Sequence, residues 1–109
     1  MISVSIKLLG TDTLCLRVGG TLDVTTVVDL EPTLATILRR EPWHVQLELS
    51  RLRMIDSVGV GALLGFYKRL QTCGCWVTLK GLREQPLAVF RLLGLDRALG
   101  MPGLNPLSS

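Results

Sequence analysis

The sequence predicts an α+β sandwich. Its mixed sheet of four or five strands has helices on one face, in the order ββαβαβα with room for a final strand. Three observations carry that prediction. Each strand-like segment alternates apolar and polar residues with period two, so the sheet has one buried face. None is the continuous apolar run of a sheet covered on both faces. Two of the links between strands are long enough to hold a helix, and such crossovers join parallel strands.

Ile2, Val4, Ile6 and Leu8 alternate with Ser3, Ser5 and Lys7 in the first strand. Gly10-Thr11-Asp12-Thr13 forms a hairpin turn. Leu14, Leu16 and Val18 then alternate with Cys15 and Arg17. The period changes next: Leu30, Leu34, Ile37 and Leu38 make a helical stripe that ends near Arg39-Arg40, with Pro42 as its stop. Pro32 lacks an N–H. Either the regular helix starts at Asp29, with Pro32 in its first turn, or a kinked helix starts at Thr25. Val45, Leu47 and Leu49 alternate with Gln46 and Glu48 in the next strand.

A second helix starts near Ser57, with Val60, Leu63, Leu64, Tyr67 and Leu70 on its apolar face and Gly74 as its stop. Val77 and Leu79 alternate with Thr78 and Lys80. A third helix runs from about Glu84 to Leu93, with Leu87, Phe90 and Leu93 inward, and ends at Gly94. A short last strand covers Ala98 to Met101. Residues 1–101 therefore read as a single domain, and residues 102–109 as a poorly ordered tail.

Composition narrows the function classes. Hydrophobic residues make up 48% of the 109, and the mean hydropathy is +0.42, as in a globular domain. Charged residues are only 19%, which leaves apolar surface for a partner. The net charge is +3 and the basic residues are scattered, with few aromatics among them, so the pattern does not fit a nucleic-acid surface. No stretch approaches the roughly 20 apolar residues of a membrane span. The first residues alternate as a strand rather than as a signal peptide, so the expected compartment is the cytoplasm. Three cysteines, two of them in Cys73-Gly74-Cys75, argue against a disulfide framework. Only Cys15 and His44 remain as further soft ligands, in other segments. Free thiols and no metal or other cofactor are expected.

The richest stretch is Met54-Ile55-Asp56-Ser57-Val58-Gly59-Val60-Gly61-Ala62. It places a carboxylate, a hydroxyl and several glycines at a strand-to-helix turn, where mixed α/β folds carry their sites. A serine there is also an ordinary helix N-cap. Right-handed crossovers bring the turns after Val18 and Leu49 to one end of the sheet. Gly19-Gly20-Thr21-Leu22-Asp23 thus comes near Met54-Ile55-Asp56-Ser57. Gly59, Gly61 and Gly65 each cost about 1 kcal/mol against alanine in a helix. They suit either tight packing or close docking of a partner. Enzyme readings fare poorly. His44 belongs to the opposite end of the sheet, so Ser57 has no triad. The turn is not Gly-x-Ser-x-Gly, and Leu64 stands where a dinucleotide fingerprint has its third glycine. An aspartyl-phosphate at Asp56 lacks a cage of further acids. A binding protein rather than an enzyme is expected.

Gly20-Thr21-Leu22-Asp23, Leu47-Glu48-Leu49-Ser50, Ile55-Asp56-Ser57-Val58-Gly59-Val60-Gly61 and Leu92-Leu93-Gly94-Leu95-Asp96 together resemble the STAS domain of bacterial anti-sigma factor antagonists and sulphate transporter tails. The resemblance spans about Ile2 to Met101 and implies a STAS-like fold. It also implies a switch. An anti-sigma factor that is a serine kinase phosphorylates the serine after the aspartate, here Ser57, and a serine phosphatase reverses this. The unphosphorylated antagonist binds the anti-sigma factor and frees the sigma factor. The implied partner surface comprises Asp23, Asp56, Ser57, Val58, Gly59 and Gly61. The chain departs from the usual pattern at Val58, Pro32 and Cys73-Gly74-Cys75. Other STAS branches are accessory subunits of lipid-transporting ABC complexes or scaffolds of stress-signalling assemblies. The oligomeric state, monomer or weak dimer, stays open.

Overall fold

The computed structural model describes residues 1–98. The chain runs β1 (Ile2–Leu8), β2 (Thr13–Leu22), α1 (Val27–Arg40), β3 (His44–Glu48), β4 (Leu52–Ile55), α2 (Ser57–Thr72), β5 (Trp76–Lys80), α3 (Glu84–Leu92) and α4 (Leu95–Ala98). The sheet is mixed, ordered β1-β2-β3-β5, with β4 also paired to β2. β1 is antiparallel to β2, and the remaining pairs are parallel. This is the α+β architecture expected, with helices in the crossovers between parallel strands.

The alternation decides the layers. Leu14, Leu16, Val18, Val45, Leu47 and Leu79 point into one apolar core with Leu30, Ile37, Leu63, Leu70 and Phe90 of the helices. Their neighbours Ser5, Arg17, Glu48 and Lys80 form a polar row across the face that no helix covers. β2 is ten residues long and serves two partners. Thr13–Arg17 pair with β3, and Gly20–Leu22 with β4. A register shift at Gly20/Thr21 accompanies the change. Gly20 has φ +85 there, and a Cβ would run into the Met1 carbonyl.

Four details differ from the sequence reading. β4 was not foreseen, because Arg53 and Met54 are both exposed and break the period of two. α1 starts at Val27, between the two alternatives, with Pro32 in its second turn. Burial of Val27 and Leu30 outweighs the backbone bond that Pro32 cannot make. Leu93 is 55% exposed rather than inward, because α3 stops at Leu92 and Gly94 turns the chain at φ +70. The last strand is not seen at its first position, since Ala98 closes α4. Residues 99–101 of that strand and the proposed tail lie outside the described residues.

Candidate functional site

The site grows from the carboxyl ends of β2 and β4. Asp23 follows β2 directly, and its Oδ1 accepts from the Thr25 N–H (2.9 Å), the Thr25 hydroxyl (2.6 Å) and the Thr26 N–H (3.1 Å). These bonds wind the chain into α1. The Thr25 hydroxyl is the main cause that holds the Asp23 carboxyl below its ordinary range. Partial burial opposes it, and the Thr25 and Thr26 N–H groups add to it. The Thr26 hydroxyl is buried and donates to the Thr21 carbonyl at 2.8 Å.

Asp56 closes β4 and opens α2. It is the N-cap, where the sequence alone put Ser57 forward: its Oδ1 accepts from the Gly59 N–H at 2.8 Å. Its Oδ2 accepts from the Val24 N–H at 3.1 Å, so one carboxylate ties the α2 start to the loop after Asp23. Ser57 is thus the first helical residue, on the outside of the turn. Its side chain is exposed, with no hydrogen-bond partner among the described residues. The hydroxyls of Thr25 and Thr26 are already engaged, and that of Ser57 is not.

The other predicted residues divide. Val58 is 42% exposed beside Ser57, and Gly61 is exposed one turn on. Gly59 is buried. A Cβ there would meet the Leu22 carbonyl at 2.5 Å and the Leu22 Cγ and Ile55 Cγ1 at 2.9 Å. Its visible role is to let α2 lie against the end of β2. Around the turn, Val24 (61%), Val28 (59%) and Met54 (49%) also expose apolar side chains. The sequence reading placed Met54 in this patch and missed Val24 and Val28. An apolar residue on each segment flanking the two aspartates was the available signal. An exposed apolar rim of this kind marks an interaction surface.

No group of three or more metal-ligating side chains converges among the described residues. Cys75 is buried, which pushes its thiol up and leaves it a poor nucleophile. No described helix is long and apolar enough to cross a membrane.

A fold with this topology and this aspartate-serine turn defines a class, and comparison with known proteins agrees. The family profile described as "Mlab, STAS domain" matches residues 9–104. An anti-sigma-B factor antagonist of Staphylococcus epidermidis is 32% identical over 72% of this chain and 73% of its own length. One from Listeria monocytogenes is 28% identical over 87% of this chain and 83% of its own. The Bacillus cell fate determinant SpoIIAA, in a structure of its phosphorylated form, is similar in fold. Its TM-score is 0.70 at 23% identity, over 87% of this chain and 86% of that one. The chain belongs to the STAS domain family.

Proposed function

We propose that this protein is an anti-sigma factor antagonist of the cytoplasm. It binds an anti-sigma factor that is a serine kinase, and phosphorylation at Ser57 ends the binding. The observation that carries this reading is the free, exposed Ser57 hydroxyl at the first position of α2, beside an acid on each flanking segment and inside an apolar rim. The curated relatives' names support it. Asp23, Asp56, Val58 and Gly61 belong to the same docking surface, and a serine phosphatase restores the free hydroxyl.

Phosphate brings roughly −1.5 to −2 charge. At a helix N-terminus the dipole and the first-turn N–H groups accept an anion, so the fold persists. The partner, however, meets a charge beside Asp23 and Asp56 that it cannot bury cheaply. A loss of about 4 kcal/mol is roughly a thousandfold in affinity.

The test uses an anti-sigma factor serine kinase from the same organism, with ATP. One phosphate is expected on the wild type and none on Ser57→Ala, while Ser57→Asp binds the kinase weakly and keeps its fold. Phosphate on Thr21 or Thr25 overturns the assignment. Transporter genes beside this one, with no kinase, would favour the ABC-subunit branch instead.

A further inference from the structure

The uncovered face of the sheet carries a cleft beside β2. Between Arg17 and Gly20, β2 changes partner from β3 to β4. Beside the connecting loop Leu49–Arg51, whose Arg51 carbonyl accepts from the Gly20 N–H at 2.9 Å, the cleft of about 450 Å³ opens over β2. Gly19 is its floor. A Cβ on Gly19 would meet Ser3 Oγ at 2.8 Å and Arg51 Cβ at 3.0 Å, so the missing side chain is what lets Ser3 and Arg51 close in over the strand at that point.

The walls are cationic and hydroxylic. Arg17 and Arg51 line the cleft, and neither guanidinium has a hydrogen bond or contact ion pair among the described residues. The Ser3 and Ser5 hydroxyls, from β1, are likewise uncommitted. One acid is present, Glu48. Its Oε1 is taken by the Ser50 N–H (2.8 Å) and the Ser50 hydroxyl, and Lys80 stands opposite it on β5. Burial pushes the Glu48 carboxyl up, but Ser50, Lys80 and Arg17 outweigh this, so it stays ionised. Arg83, outside the lining, donates its Nε to the Ser50 carbonyl at 3.1 Å. Cations therefore outnumber the single acid.

We propose that this cleft binds a small phosphorylated polyol of the sugar-phosphate class. Two unpaired guanidiniums suit the fork geometry of a phosphate. The free hydroxyls of Ser3 and Ser5 suit the hydroxyl groups of a sugar, while the Glu48 carboxylate opposes the phosphate charge. No aromatic side chain lines the cleft, so nothing there stacks a nucleobase, which sets nucleotides aside. The volume falls in the range of small-molecule sites. This site is independent of the Ser57 reading.

The test is an amide NMR titration of the full chain with glucose 6-phosphate, inorganic phosphate and glucose at constant ionic strength. Glucose 6-phosphate should shift the amides of Ser3, Arg17, Gly19, Ser50 and Arg51, saturating at about 1 mM or below. Inorganic phosphate should bind more weakly at the same residues, and glucose should not bind. Arg17→Ala and Arg51→Ala should each weaken glucose 6-phosphate at least tenfold. Glu48→Gln should tighten it, an outcome that general loss of structure cannot mimic. Ser57→Ala should change nothing, which separates this site from the switch. Shifts centred on Val58 and Gly59, unchanged affinity in both arginine variants, or saturation by a polyglutamate peptide but not by glucose 6-phosphate would overturn the proposal.

Discussion

Gln85 holds both backbone groups of Ile55. Its side-chain oxygen accepts from the Ile55 N–H at 2.9 Å, and its amide nitrogen donates to the Ile55 carbonyl at 3.0 Å. β5 ends its pairing at Lys80, and among the described residues no strand lies along the outer edge of β4. One side chain from the first turn of α3 supplies the missing bonds there. The residue it fixes directly precedes Asp56 and Ser57, so the amide of Gln85 positions the turn.

Gln85→Ala should therefore cost about 1–3 kcal/mol, the range for leaving partly buried polar groups unpaired. Denaturant unfolding measures the loss, and faster amide exchange at Ile55 localises it. Gln85→Glu keeps the acceptor but cannot donate to the Ile55 carbonyl while ionised. It should also destabilise at neutral pH, with part of the loss relative to wild type returning in acid as the new carboxyl protonates.

The glycines of α2 should respond in opposite directions. Gly59→Ala drives a methyl against the Leu22 carbonyl, which is backbone and cannot step aside. Overpacking of this sort costs typically 1–3 kcal/mol. Gly61 and Gly65 have open space where a Cβ would stand, so alanine there gains up to about 1 kcal/mol of helix propensity. Melting temperatures of the three variants check the signs. Because Gly61 lies on the proposed docking surface, the stabilised Gly61→Ala protein should bind its partner less well despite its firmer fold.

Much of this molecule was legible because its signals are local or periodic. The period-two pattern of β1, β2, β3 and β5 revealed a sheet with one wet face, and two crossovers placed Asp23 and Asp56 at one end of it. β4 was not legible. Its in-out-out-in burial has no period, and it exists because β2 and Gln85 hold it from elsewhere in the chain. The capping role was legible only to within a residue. Asp56 and Ser57 are both good N-caps, and the bond from the Val24 N–H, made across the loops, selects the aspartate. The outward position of Leu93 follows from where α3 stops, which its apolar pattern does not reveal.

Asp56 does two jobs that substitutions can separate. Asp56→Ala removes the acceptor for Gly59 and for Val24 together, and should cost about 1–2 kcal/mol. Asp56→Asn retains an acceptor for the cap, because asparagine caps as well as aspartate. Its amide nitrogen cannot accept from the Val24 N–H, so the variant should keep the cap but lose that loop bond, preserving part of the stability while removing one negative charge beside Ser57. Under the proposed switch, phosphorylated Asp56→Asn protein then loses less affinity for the kinase than phosphorylated wild type. Isothermal titration of both phosphoforms measures the difference.

The Asp23 carboxyl is a pH-dependent brace on the start of α1. Its pKa is depressed in the folded protein, chiefly by the Thr25 hydroxyl and then, against partial burial, by the Thr25 and Thr26 N–H groups. A folded-state pKa below the unfolded value means that the unfolded chain takes up the proton first. The stabilisation is therefore fully present above the ordinary aspartate range and fades as pH falls through the folded value. Thr25→Val deletes the strongest of these bonds. Its Asp23 should titrate closer to an ordinary aspartate, and its stability should fall less steeply on acidification than that of wild type. Carbon-detected NMR titration of the Asp23 carboxyl, with unfolding curves at neutral and acid pH, tests both. An unchanged Asp23 titration in Thr25→Val would show that the backbone N–H groups, rather than the hydroxyl, hold the charge in place.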